Sequence, residues 1–140
     1  MPHARPKLLI VDDDADFRES LAAFLQAHGY EVVHAANSEQ GLLRARLEKP
    51  ALIIMDLMMN ERTEGCFAIQ QIRSSPELRD VPVFVASALY QRAPDFGIPP
   101  ERSWLGHDEF FAKPVDLPRL LEAIRRRLGG QPTPTGEAQP

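Results

Sequence analysis

Apolar residues fall in short continuous runs separated by stretches with helical spacing. Lys7–Val11 (KLLIV), Ala51–Met55 (ALIIM) and Val81–Ala86 (VPVFVA) are apolar at nearly every position, as in strands covered on both faces. Glu31–Ala35 (EVVHA) and Glu109–Ala112 (EFFA) read as two shorter strands. Phe17, Leu21, Phe24, Leu25 and His28 share one face of a first helix, with Asp14 placed to cap it and Gly29 to stop it. Ser38 is placed to cap a second helix running to about Leu47, ahead of Pro50. A third helix is expected from about Gly65 to Arg73. Asp116 is placed to cap a last one, with Leu117, Leu120, Leu121, Ile124 and Leu128 inward and Gly129 as its stop.

Strand–helix repetition with near-continuous apolar strands predicts an α/β fold, a parallel sheet wound with helices on both faces. Five strands leave two orders open. The order 2-1-3-4-5 makes a flavodoxin-like doubly wound five-stranded sheet. One crossover breaks the rhythm. Between Ser87 and Glu109, Pro94, Pro99 and Pro100 forbid a regular helix over most of the segment. The fourth crossover helix is therefore expected to be shortened or replaced by a loop. Residues 1–6 read as an N-terminal extension, 7–128 as one domain, and 129–140 as a Gly/Pro-rich disordered tail.

Composition narrows the function. The chain has 140 residues, 44% of them hydrophobic, enough for one core without disulfides or a structural metal. A net charge of −4 argues against a nucleic-acid or membrane-surface binder. Cys66 is the single cysteine, which excludes an internal disulfide and a cysteine zinc site. The N-terminal apolar run is too short for a signal peptide or a membrane span, so a cytoplasmic location is expected.

In open parallel sheets, sites form beyond the carboxyl ends of the strands, at the switch in strand order. The polar residues at those ends are Asp12, Asp13 and Asp14 after the first strand, Asp56 after the third, Ser87 after the fourth and Lys113 after the fifth. In the order 2-1-3-4-5, Asp12, Asp13 and Asp56 converge on one crevice. Clustered carboxylates repel, and burial worsens this. A divalent cation relieves it, and few oxygen ligands suit Mg²⁺, which keeps several waters and bridges to phosphate. A carboxylate nucleophile, Mg²⁺, a lysine and a hydroxyl together suit phosphoryl transfer. Each residue alone has an ordinary reading: Asp14 as a helix cap, Asp56 as a common strand-end residue, Lys113-Pro114 as a turn.

With LLIVDDD, PALIIMDLMM, FVASA and DEFFAKPVD in place, residues 7 to 128 resemble the receiver domain of two-component response regulators. The resemblance implies that Asp56 is the phosphoacceptor, Ser87 the switch hydroxyl and Lys113 the lysine that neutralises transferring oxygens. It implies Mg²⁺ on Asp13, Asp56 and the backbone carbonyl of Met58, with Asp12 reaching it through water. It also implies a cis bond at Lys113-Pro114 and no separate small-molecule cofactor. Phosphate would come from the phosphohistidine of a sensor histidine kinase or phosphotransfer protein, and a downstream protein would read the switch. Such a receiver catalyses only its own phosphorylation and slow self-dephosphorylation.

The chain departs from the family pattern in several places. Asn60 stands where a proline is usual, and the stretch to Gly65 is one residue longer. The aromatic switch position holds Phe110, which reads equally as a core aromatic. Met58 and Leu89, at the positions that tune lifetime, cannot hydrogen-bond an attacking water. Trp104 or Tyr90 either anchors a partner at the altered crossover or covers the core in place of the missing helix.

Two other function classes compete. A phosphorylation-independent interaction module on the same fold is one, opposed by the intact set Asp12, Asp13, Asp56, Ser87 and Lys113. An aspartate-nucleophile phosphatase of the haloacid dehalogenase type is the other, with Asp12 as nucleophile and Asp14 as acid, but it leaves Asp56 unexplained. A calcium loop fails because Phe17 and Ala23 occupy its glycine and glutamate positions. Cys66 reads as a half-buried hydrophobe, His28 and His34 as helix-end and surface residues, and Arg125–Arg127 as cations favoured at a helix C-terminus.

Overall fold

In a computed structural model of the chain, the residues described are 5–57, 59, 64–88 and 106–129. The elements in order are β1 (Lys7–Val11), α1 (Ala15–Ala27), β2 (Glu31–Ala35), α2 (Ser38–Glu48), β3 (Leu52–Met55), α3 (Glu64–Ser74), β4 (Val83–Ser87), β5 (Glu109–Ala112) and α4 (Leu117–Leu128). The five strands form one parallel sheet in the order β2-β1-β3-β4-β5.

Side chains alternate between the two faces of a strand, and each face has its own helices. Leu8, Ile10, Val32, Leu52, Ile54, Phe84, Ala86 and Phe111 pack with Leu21 and Leu25 of α1 and Leu120, Leu121 and Ile124 of α4. Leu9, Val11, Ile53, Met55, Val83 and Val85 pack with Ala45 of α2 and Ala68, Ile69 and Ile72 of α3. Two covered faces are why β1, β3 and β4 carry no alternating polar positions.

Helix caps follow from local chemistry. Asp14 and Asp116 cap α1 and α4 through Phe17 N–H and Arg119 N–H, at 3.2 and 3.1 Å. Gly129 ends α4 with φ 77°. The cap of α2 is Asn37, not Ser38. The extended backbone at Asn37 lets its side-chain oxygen accept Gln40 N–H at 2.8 Å. Ser38 already lies inside the helix and donates its hydroxyl to Glu64 Oε1 at 3.2 Å, tying α2 to α3.

β4 begins at Val83, two residues later than the apolar run suggests, and continues through Ser87. Pro82 has no N–H, and Val81 is held in a turn by Leu78 O. The Val83 N–H goes to Asp108 Oδ2 at 2.8 Å instead of to a strand. At the other end, Ser87 O accepts Lys113 N–H at 3.1 Å, which keeps Ser87 in the sheet.

His34 is not a surface residue; it is half-buried on β2, and burial lowers its imidazole pKa, with Arg18 adding to the effect. His28 ends α1, its Nδ1 2.8 Å from Phe24 O. Cys66 is half-buried as expected, and burial pushes its thiol pKa up. Among the described residues no helix is long and apolar enough to cross a membrane. The loop expected after Ser87, with Leu89, Tyr90 and Trp104, lies outside the described residues, as do Met58, Asn60 and positions 130–140.

Candidate functional site

The carboxyl ends of β1, β3, β4 and β5 bring Asp12, Asp13, Asp56, Ser87 and Lys113 to one edge of the sheet. Backbone hydrogen bonds set each position. Asp12 N–H donates to Ala35 O and Asp56 N–H to Val11 O, both at 3.0 Å. These extend the sheet ladder by one step, so the two carboxylates leave adjacent strands side by side. Asp12 and Asp56 are buried, at 1% and 4% exposure, and Asp13 is exposed. One carboxylate oxygen from each of the three lies within 4.8 Å of the others.

Asp12 is held from several sides. Its Oδ1 accepts Asp14 N–H at 2.9 Å, and its carbonyl accepts Arg18 Nη1 at 2.7 Å. Lys113 Nζ donates to Asp12 Oδ2 at 2.7 Å and lies 3.6 Å from Asp56 Oδ2. Burial raises the Asp12 pKa above the usual carboxylate range. Lys113 and the Asp14 N–H oppose that rise, and the nearby Asp56 charge adds to it.

The lysine is fixed at its backbone as well as at its tip. Its N–H bonds Ser87 O at 3.1 Å, and the Lys113-Pro114 peptide is cis, as the family resemblance implied. The Phe17 ring covers the ammonium, its centroid 4.1 Å from Nζ. Ser87 is buried at 1% exposure at the end of β4. Phe110, half-buried on β5, is paired in register with Val85 and packs with the α2–α3 side of the core.

Three carboxylates converge, and the Lys113 ammonium lies beside the two that are buried. That arrangement suits a small divalent cation bound by hard oxygens. The Met58 carbonyl lies outside the described residues; the three aspartates are the ligands on view.

Several contacts at this candidate site escape the sequence pattern. Phe17 reads as a core-face residue and Arg18 is not singled out by the sequence, yet Phe17 faces the Lys113 ammonium and Arg18 bonds the Asp12 carbonyl. Gly65 presses α3 onto the backbone of Asp56 and Leu57, and its N–H donates to Leu57 O at 3.0 Å. The presence of Gly65 in the sequence is visible; the surface it presses on is not.

The chain matches the family described as "Response regulator receiver domain" over residues 8–125. It is 32% identical over 127 residues to "Protein PilH" of Pseudomonas aeruginosa, covering 89% of this chain and 98% of that protein. It is 35% identical over 129 residues to "Probable transcriptional regulator ycf27" of Pyropia yezoensis, covering 91% of this chain. The chain spans about half the length of that regulator, 49%. Among solved structures it is similar to the response regulator receiver protein from Pseudomonas putida. That match has a TM-score of 0.73 and 33% identity, and covers 89% of this chain and 99% of that one. The match across most of the chain, the sheet order and the clustered strand-end residues agree: this chain belongs to the response regulator receiver domain family.

Proposed function

We propose that the chain is a phosphoacceptor receiver of a two-component phosphorelay, with Asp56 as the acceptor. The observation that carries this is the Asp56 carboxylate, buried at the end of β3 beside Asp12 and Asp13, with Lys113 Nζ 3.6 Å away. Asp56 attacks the phosphorus of a phosphohistidine on a sensor histidine kinase or phosphotransfer protein. An O–P bond forms, the N–P bond breaks, and the departing imidazole takes a proton from water.

The acidic cluster fits Mg²⁺, which Asp13 and Asp56 would hold with Asp12 beside them; the family resemblance adds the Met58 carbonyl as a further ligand. When bound, the ion supplies charge neutralisation for the phosphoryl oxygens. Lys113 contributes a second positive charge from the β5 side. Burial around Asp12 and Asp56 keeps competing water low, which strengthens each of these interactions.

The acyl phosphate adds charge and strong acceptors at the end of β3. The Ser87 hydroxyl, on the neighbouring strand, bonds one phosphoryl oxygen. Phe110, two steps back along the β4–β5 register, follows that movement and changes the surface a downstream protein reads. The receiver is a signalling module whose only chemistry is its own phosphorylation and slow self-dephosphorylation.

Intact mass after incubation with Mg²⁺ and acetyl phosphate, beside an Asp56→Asn control, tests the reading. The expected result is a gain of one phosphoryl group that the control lacks. No gain by folded wild-type protein from acetyl phosphate or from a phosphorylated histidine donor would leave a phosphorylation-independent binding module. A gain in the control as well would move the acceptor to Asp12.

A further inference from the structure

Lys113 ends in a compact point charge on a flexible stem, so something must hold that charge where a phosphoryl oxygen will arrive. Two of its neighbours are carboxylates, Asp12 Oδ2 at 2.7 Å and Asp56 Oδ2 at 3.6 Å. A further neighbour, of a different kind, is the Phe17 ring, 4.1 Å from centroid to Nζ. The ring is itself well anchored. Phe17 sits in the first turn of α1, where its N–H is bound by the Asp14 cap at 3.2 Å. Its side chain packs against the core cluster that includes Leu21.

The two kinds of neighbour act differently. A carboxylate attracts the ammonium by taking one of its N–H groups, and so competes with an incoming phosphoryl oxygen. An aromatic face attracts the same charge through its quadrupole and supplies no oxygen. It also keeps water off that side of the ammonium, whose side chain is 19% exposed.

We propose that Phe17 is a positioning residue for phosphoryl transfer: its ring face holds the Lys113 ammonium beside Asp56 without competing for the phosphoryl oxygens. The inference rests on the receiver reading above. A ring that served only as an apolar wall would be replaceable by any apolar side chain of similar size. Phe17 lines an open apolar groove of about 440 Å³ together with Leu21, Pro114 and Leu117. It is half-buried at the margin of the core, so an apolar substitution there removes the ring without removing a fully buried core residue.

The test compares wild type, Phe17→Leu and Phe17→Tyr in the full chain, each first checked for folding by urea denaturation. With Mg²⁺ and acetyl phosphate, Phe17→Leu is expected to slow phosphorylation by about two- to thirtyfold, the range of a cation–aromatic contact from exposed to desolvated. Phe17→Tyr, which keeps the ring face, restores most of the rate. Equal rates in wild type and Phe17→Leu would overturn the proposal. Equal losses in the leucine and tyrosine variants would overturn it too, because packing would then matter and the ring face would not.

A second readout is independent of phosphotransfer. The chain has three lysines, Lys7, Lys49 and Lys113, so the Lys113 side-chain methylene next to the ammonium is resolvable by NMR. Its protons are expected upfield, under the ring current, in wild type and Phe17→Tyr, and at the ordinary lysine position in Phe17→Leu. An ordinary position in wild type would overturn the proposal. An upfield position in a wild-type chain that takes up no phosphoryl group would support the aromatic hold on the ammonium and overturn the receiver reading instead.

Discussion

Gly65 lies in the first turn of α3, against the backbone of the proposed acceptor. A Cβ added there would sit 2.6 Å from Leu57 Cα and 2.8 Å from the Asp56 carbonyl carbon, and closer still to the Asp56 carbonyl oxygen. Carbon atoms in contact prefer about 3.5–4.0 Å, so Gly65→Ala demands a backbone shift of about 1 Å at Asp56–Leu57 or at the start of α3. Backbone atoms cannot rotate away as a side-chain tip can. Overpacking of this kind costs about 1–3 kcal/mol, and better helix propensity of alanine returns about 1 kcal/mol of that. The net expectation is a loss of up to about 2 kcal/mol in urea unfolding and a thermal midpoint lower by up to about 5 °C. The larger effect falls on function. A reacting group misplaced by about 1 Å can lose about a hundredfold in rate, so acetyl phosphate should label Gly65→Ala far more slowly than wild type. Gly41→Ala is the control: the three atoms nearest its added Cβ all belong to the Val11 side chain, the first Cγ2 at 2.9 Å. A small stability loss and a phosphorylation rate within about twofold of wild type are expected there. A Gly65→Ala protein with wild-type midpoint and wild-type rate would refute the reasoning.

Other predictions follow from the same geometry. Burial raises the Asp12 pKa in the folded chain, so the folded state binds the proton more tightly than the unfolded one. Asp12 therefore lowers stability as pH rises from its unfolded value through its folded one, and below that window the penalty is absent. Asp12→Asn should raise the thermal midpoint at pH 7, with the gain shrinking as pH falls toward 4; a gain that does not vary with pH would contradict this. Mg²⁺ should raise the wild-type midpoint in a concentration-dependent way, and Asp13→Asn should shift that dependence to higher Mg²⁺ by about tenfold or more; identical curves would remove Asp13 from the metal site. Arg73 donates to Gly106 O, Arg79 O and Val81 O at 2.7, 2.9 and 2.7 Å and pairs with Asp108 at 3.0 Å. Arg73→Met should cost about 3 kcal/mol in urea unfolding, because it strands several carbonyl acceptors and takes one of two cations from the Asp108 carboxylate, which keeps Arg127 at 3.0 Å. Half of that loss should persist in Arg73→Lys, which restores charge but not the planar fork.

How much was legible in the sequence depends on how far apart the determinants lie along the chain. The covered strands, the inward face of α4 and the caps Asp14 and Asp116 are encoded within a few residues, by apolar period and side-chain reach. Strand order, once adopted, also placed Asp12, Asp13, Asp56, Ser87 and Lys113 at one edge, because strand-end residues in a parallel sheet must share that edge. Local rules failed where neighbours are equally suitable. Asn37 and Ser38 are both good caps, and only the extended backbone at Asn37 chose between them. The start of β4 was decided by Asp108, a distant residue that accepts the Val83 N–H. The finer electrostatics belong to the same class. Lys113 lies nearer Asp12 than Asp56, Phe17 faces its ammonium, and Gly65 bears on the backbone of Asp56, the proposed acceptor. Those contacts join segments far apart in the chain, and they exist only once packing brings the segments within a few ångströms. Residue types and their periodic placement thus specified the elements and the chemistry available at the sheet edge. Tertiary packing decided which charge meets which partner, because Coulomb attraction and steric contact depend on distances that no local pattern contains.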